Sequence, residues 1–154
     1  MHNYEKTGVL SKKDITLPSK KQLEKGVAII ECIQEIPCNP CVDSCPVKAI
    51  SMKNINAIPI MNFDKCIGCG KCIGVCPGLA IFVVKIKDGK TLISLPYEFL
   101  PAPKVGSKVK ALDREGDVVG DAIVKRVIEK GKTMTITIEA RENLAMDIRN
   151  IRVN

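Results

Sequence analysis

Tryptophan is absent, histidine occurs once, at His2, and the aromatic residues stop at Tyr4, Phe63, Phe82, Tyr97 and Phe99. A chain of 154 residues can form one ordinary domain or two small ones, but a core so poor in large side chains needs other support. Neither a G-x-G-x-x-G nor a G-x-x-x-x-G-K run is present, which leaves no visible flavin, nicotinamide or ATP site. With a lone terminal histidine and no nucleophile beside a base, the chain is not expected to turn over an organic substrate itself. The first thirty residues mix Lys, Glu and Asp and lack the apolar stretch of an export signal. The longest uncharged run, Ile73 to Val84, holds Cys76, Pro77 and Gly78. It falls short of the about 20 apolar residues that span a bilayer. No transmembrane segment is expected, and the reading places the chain in the cytoplasm, where clustered cysteines bind metal more often than they pair as disulfides.

The formal charge is +7, with 45% hydrophobic and 27% charged residues, which are globular values. The charge is uneven. Residues 1–30 carry six Lys against three acids, residues 31–80 four Lys against four, and residues 81–154 fourteen Lys or Arg against ten. A polyanion or an acidic protein could answer that excess, as could a simple solvated surface. Nucleic acid is not expected as a partner: no run is rich in Lys and Arg, and base-stacking aromatics are nearly missing.

All eight cysteines fall within the neutral middle segment. Cys66, Cys69, Cys72 and Cys76, followed by Pro77, spell C-x2-C-x2-C-x3-C-P. This spacing belongs to bacterial-type ferredoxins, in which three thiolates wrap one [4Fe–4S] cluster and the fourth ligates the other. Gly68 and Gly70 suit a loop that needs positive φ and close approach of amides to sulfur. Cys38, Cys41 and Cys45, followed by Pro46, overlay Cys69, Cys72, Cys76 and Pro77 at an offset of 31, and Ala49-Ile50 overlays Ala80-Ile81. An internal repeat of cluster loop, short helix and strand follows. The crossing rule assigns Cys66, Cys69, Cys72 and Cys45 to cluster II, and Cys38, Cys41 and Cys76 to cluster I.

The fourth ligand of cluster I departs from the pattern, because Glu35 stands where Cys66 has its counterpart. Cys32 can reach back to complete the set, Glu35 can ligate the fourth iron, or the site can hold a [3Fe–4S] cluster. Eight cysteines for eight iron atoms favour Cys32; otherwise it is a small buried residue at a strand end. Zinc fits poorly, since zinc ribbons use two separated pairs rather than repeated triplets ending in Cys-Pro.

Along the chain, residues 1–25 read as a polar extension, 26–96 as the dicluster ferredoxin domain, and 97–154 as a small β-rich module. The fold class expected is α+β, a ferredoxin domain followed by a small all-β, barrel-like or rolled C-terminal domain. Strands are expected at Val27–Ile30, Ile50–Met52, Ile58–Met61, Ile81–Ile86 and Thr91–Leu95, with Asp88-Gly89 as a hairpin turn. Short helices are expected near Pro46–Ala49 and Ile73–Leu79. After a linker punctuated by Pro96, Pro101 and Pro103 come strands at Lys108–Leu112, Val118–Ile128, Thr133–Glu139 and Ile148–Val153. A helix is expected at Arg141–Met146.

Longer phrases carry a narrower resemblance. They are Glu31-Cys-Ile-Gln-Glu-Ile-Pro-Cys-Asn-Pro-Cys41, Lys65-Cys-Ile-Gly-Cys-Gly-Lys-Cys72, Cys76-Pro-Gly-Leu-Ala-Ile-Phe-Val-Val84, Pro96-Tyr-Glu-Phe-Leu-Pro101 and Ala111-Leu-Asp-Arg-Glu-Gly-Asp-Val-Val-Gly120. Together the sequence resembles the small dicluster subunits of flavin-dependent dehydrogenase complexes acting on proline, hydroxyproline, sarcosine or opines. That resemblance implies two [4Fe–4S] clusters in this chain, a role for Cys32 as ligand, and FAD only in a partner dehydrogenase subunit. The chain would then be the electron-transfer subunit. A free, diffusing dicluster ferredoxin is the other reading of the same cysteines.

Overall fold

The computed structural model describes residues 3–154, so His2 lies outside the described residues. A seven-stranded antiparallel sheet runs through the molecule in the order β1-β4-β5-β8-β7-β6-β9. Its strands are β1 (Val27–Ile30), β4 (Ile81–Lys87), β5 (Lys90–Tyr97), β6 (Lys108–Leu112), β7 (Val118–Lys130), β8 (Thr133–Arg141) and β9 (Asn150–Arg152). A separate ribbon pairs β2 (Ile50–Ser51) with β3 (Ile60–Met61). Helices α1 (Tyr4–Thr7), α2 (Lys20–Lys25), α3 (Pro40–Ser44) and α4 (Lys71–Val75) are all short.

Strand β8 shows why the sheet forms. Thr133, Thr135, Thr137 and Glu139 alternate with Met134, Ile136, Ile138 and Ala140, and only the second set is buried. That two-residue period gives a pleated strand one apolar face. Ile93 and Leu95 of β5, Val124 of β7, Val109 and Ala111 of β6, and Ile148 meet this face and are essentially inaccessible. Asp88 and Gly89, both at positive φ, make the β4–β5 hairpin, as the Asp-Gly pair leads one to expect.

Register shifts between Ala111 and Leu112 and between Val124 and Arg126 bend the sheet. It rolls but does not close, since β1 and β9 remain edge strands; the barrel-like C-terminal domain expected above is an open, rolled sheet among the described residues. The sheet is also continuous across residue 96. Strand β5 pairs with β4 on one side and with β8 on the other. Pro96 stands inside it rather than in a linker. The β4 ladder has ended at Ser94 by then, so no donor is needed on that flank.

Both expected cluster helices lie earlier than the sequence suggested, for one reason. Proline disfavours the α region in the residue before it. Cys45 before Pro46 and Cys76 before Pro77 are accordingly extended, at φ −78°, ψ 113° and φ −74°, ψ 112°. The helices therefore stop at Ser44 and Val75, and the chain turns at residues 46–47. The expected Arg141–Met146 helix is reduced to one 3₁₀ turn, Glu142–Leu144.

The N-terminal extension is pinned to the cysteine region. Ser19 and Gln22 cap α2 reciprocally, and Gln22 Nε2 donates to Asp64 Oδ1 at 3.0 Å. Lys25 Nζ donates to the carbonyls of Phe63 and Asp64 at 2.9 and 3.0 Å. These bonds fix the backbone just before Cys66. A buried ion cluster stands beside the first cysteine. Glu31 accepts from Arg149 Nε at 2.6 Å and from Arg114 Nε at 2.5 Å. Arg149 also donates to the carbonyls of Ala145 and Ile148 and lies 5.2 Å from the centre of the Phe82 ring. Burial pulls the Arg149 guanidinium below its usual value, while Glu31 opposes that. Removing one partner leaves an uncompensated buried charge. Glu31→Ala is therefore expected to destabilise the holoprotein by about 3–5 kcal/mol in anaerobic guanidinium unfolding, whereas Ala at the exposed Arg152 changes little.

Candidate metal centre

The 31-residue repeat seen in the cysteines is reproduced in the backbone. Helix α3 maps onto α4, and Lys48 and Leu79 both adopt positive φ, at 52° and 53°. The Cys45 amide reaches the Val42 carbonyl and the Cys76 amide the Ile73 carbonyl, both at 3.4 Å. In each copy the turn after Cys-Pro aims an amide back at sulfur. Ala49 N donates to Cys45 Sγ at 3.2 Å and Ala80 N to Cys76 Sγ at 3.5 Å. A left-handed Lys and a left-handed Leu are costly alone; both stand in the turn that places this donor.

The loops bring the eight cysteines together as two sets of four. Cys32, Cys38, Cys41 and Cys76 line one small cavity, walled by Ile30, Ile36, Ile81 and three prolines. Cys45, Cys66, Cys69 and Cys72 line another, walled by Ala28, Val47, Ile50, Met61 and Ile67. Each cavity thus takes three cysteines from one half of the chain and one from the other. Glu35 is exposed and outside the residues that wall the first cavity, whereas Cys32 faces it.

The electrostatics follow from this crowding. Burial, and then the neighbouring Cys76, Cys38 and Cys32, push the Cys41 thiol up to about 11. Burial followed by Cys66, Cys69 and Cys45 pushes Cys72 up to about 12. Thiolates this close in an apolar wall repel one another, and a cationic centre is what makes their ionised form tenable. The spacing also bears on which centre. Four thiolates around one zinc at about 2.3 Å would have sulfurs about 3.8 Å apart. Among the described residues the only potential ligand trio within 4.8 Å is Asp113, Glu115 and Asp117 in a surface turn. No three cysteine sulfurs lie within that distance of one another among the described residues, so neither set is closed on a single ion. The donor set and spacing therefore fit [4Fe–4S] clusters.

The two sets differ in their backbone donors. In the second set Ala28 N and Gly68 N donate to Cys66 Sγ at 3.3 and 3.5 Å, besides the Ala49 bond to Cys45. In the first, the Ala80 bond to Cys76 is the amide–sulfur bond found among the described residues. Asn39-Pro40 stands where the second loop has Gly70-Lys71, and proline has no N–H to give.

Residues 31–80 match the family model described as a 4Fe-4S dicluster domain. A polyferredoxin-like subunit of the aliphatic sulfonate oxidoreductase of Pyrococcus furiosus is 35% identical over 69 residues, 45% of this chain and 38% of that one. The ferredoxin-type protein NapF of Haemophilus influenzae is 35% identical over 77 residues, 48% of this chain and 43% of that one. This chain thus spans less than half the length of either. An uncharacterised ferredoxin of Methanocaldococcus jannaschii is 33% identical over 135 residues, 86% of this chain and 85% of that one. The chain belongs to the ferredoxins. No solved structure matches this ferredoxin. Among its described residues no helix is long and apolar enough to cross a membrane.

Sequence reasoning missed Glu31, Arg114 and Arg149, which tie the strand before Cys32 to the C-terminal strands of the ferredoxin. The available signal was the scarcity of arginine, with five among twenty-four cations, because arginine is the cation suited to buried carboxylate pairs. Of the glycines in the second loop, Gly68 is the least replaceable. Its φ is +67°, and an added Cβ would stand 2.9 Å from the Gly26 carbonyl oxygen. Gly68→Ala should lower the holoprotein's stability by about 1–3 kcal/mol. Gly74→Ala, with open space around it, should be neutral or slightly stabilising in the same anaerobic thermal melts.

Proposed function

We propose that this ferredoxin is the electron-transfer subunit of an oxidoreductase complex whose partner carries FAD and oxidises an amine or amino acid. The observation that carries the reading is the pair of four-cysteine cavities, each taking three cysteines from one half of the repeat and one from the other. Cys32, Cys38, Cys41 and Cys76 would hold cluster I, and Cys45, Cys66, Cys69 and Cys72 cluster II. When bound, a [4Fe–4S] cluster supplies reversible one-electron oxidation and reduction.

The protein's part is positioning and environment. Apolar walls from Ile30, Ile36 and Ile81, and from Ala28, Ile50 and Met61, limit the access of water to the sulfurs, with Cys69 left exposed. Amides of Ala28, Gly68, Ala49 and Ala80 favour added negative charge on them. The chain would thus accept electrons from a partner's reduced flavin and hand them on one at a time. Support for an assembled role comes from the resemblance of the flanking phrases and from the Pyrococcus relative, whose name makes it an oxidoreductase subunit. The Methanocaldococcus relative, named simply a ferredoxin and similar along most of both chains, favours a second reading as a diffusing carrier.

Two experiments separate these. Anaerobic purification of the tagged chain from its native cells should bring a larger subunit and stoichiometric flavin, released on denaturation. A chain that elutes alone, brown but flavin-free, would favour the diffusing carrier. Potentiometric titration should give two reduction steps, with the lower potential at the cysteine set that has fewer amide donors. Superimposed steps would contradict the unequal hydrogen bonding.

A further inference from the structure

Beside the second cysteine set lies a cavity of about 700 Å³ that the electron-transfer reading does not use. Its floor is the outward face of four neighbouring strands. Lys85 comes from β4, Glu139 from β8, and Lys125, Arg126 and Lys130 from β7, with β5 between β4 and β8. One wall is the second cysteine loop, Gly68 to Gly74. The groove therefore runs directly along Cys69, and Cys69 is the cysteine of the eight classed as exposed.

Charge sets this face apart. Lys71, Lys85, Lys125, Arg126 and Lys130 line it against the single acid Glu139, a net +4 out of +7 for the whole chain. Lys125 lies 3.8 Å from Glu139; the other four cations have no carboxylate partner among the described residues. Five like charges around one concavity repel one another, and Glu139 offsets only one of them. Residues 31–80, which hold every cysteine, are by contrast neutral. The surplus was gathered from β4, β7 and α4, positions up to about sixty residues apart in the sequence.

We infer that this groove is the docking surface for a redox protein with an acidic face, which is thereby brought against Cys69. The inference rests on the electron-transfer reading and adds where the partner sits and what recognises it. Charge complementarity commits the site to an acidic protein: the face is broad and open, and its cations are spread along two strands and a short helix rather than converging on one phosphate. Complementary charge chiefly speeds and orients encounter, and its effect fades with salt. That suits a surface which must bring a partner to one exposed cysteine and release it.

The test uses the anaerobic holoprotein and, as probe, an acidic flavodoxin labelled for fluorescence anisotropy. Arg126→Glu with Lys130→Glu reverses two exposed groove charges. Lys13→Glu with Lys53→Glu makes the same change of net charge at exposed positions outside the groove. At low ionic strength the groove pair is expected to weaken flavodoxin binding by about tenfold or more, and the control pair by less than about threefold. The difference should vanish at high salt. Equal losses in the two variants, binding indifferent to salt, or no binding by the wild type would overturn the inference. So would FMN alone binding the wild type and failing to bind the groove variant, which would make the cavity a nucleotide site. The visible iron–sulfur spectrum and its bleaching by dithionite report separately on the electron-carrying reading. An unaltered spectrum with failed docking would remove the docking surface and leave that reading standing.

Discussion

Eight thiols held in two small apolar cavities are the constraint on which the rest of this structure depends. Burial and mutual proximity push Cys41 and Cys72 to about 11 and 12, so each set resists ionisation unless a cationic centre is shared among its four sulfurs. The segment that carries them has little else to hold it. Between β1 and β4 the regular structure amounts to two five-residue helices and a two-residue ribbon. Helices this short are not stable by themselves. Cluster ligation is the natural source of order for residues 31–80, in place of the aromatic core the sequence lacks. The crossing of the ligands adds to this, since each half of the repeat lends one cysteine to the other half's cavity.

The remainder of the chain acts as a frame for that segment. Helix α2 grips the segment before Cys66, Lys25 through the carbonyls of Phe63 and Asp64 and Gln22 through the Asp64 side chain. The Glu31–Arg114–Arg149 cluster ties the residue before Cys32 to the strands near the C-terminus. Such a buried ion cluster contributes little net stability compared with apolar packing, yet it penalises any arrangement that leaves one member unpaired. Its value here is register: it fixes where the C-terminal strands meet the first cysteine loop. The continuous sheet does the same on the other side. Strand β5 joins both halves, and it lays the basic face of β7 beside the second loop.

Local signals carried much of this into the sequence. The cysteine spacing, with its repeat at 31 residues, is local enough to read directly, and it divides the cysteines into two groups of four. Strands β1 and β6 lie within the bounds expected from their apolar runs, and Asp88-Gly89 makes its hairpin. The cluster helices were misplaced because Pro46 was read as a helix start, when its effect on Cys45 makes it a helix stop. Long-range features were not legible. Glu31 lies 83 and 118 residues from its arginines, and no periodicity links them. Pro96 and the change of composition suggested a linker where the sheet in fact continues, because only the pairing of β5 with β8 shows which flank needs no donor. The basic groove is a product of strand order, and charge counts along the chain could show an excess without showing where it gathers.

Mössbauer spectroscopy of the anaerobically isolated, iron-57-enriched protein, with iron and sulfide counted per chain, tests the central assignment most directly. Two complete sets of four cysteine ligands predict about eight iron atoms, all in [4Fe–4S] clusters. A [3Fe–4S] component would contradict Cys32 as the fourth ligand of the first set. Isolated ferric or ferrous iron, or stoichiometric zinc, would contradict the assignment of both cavities.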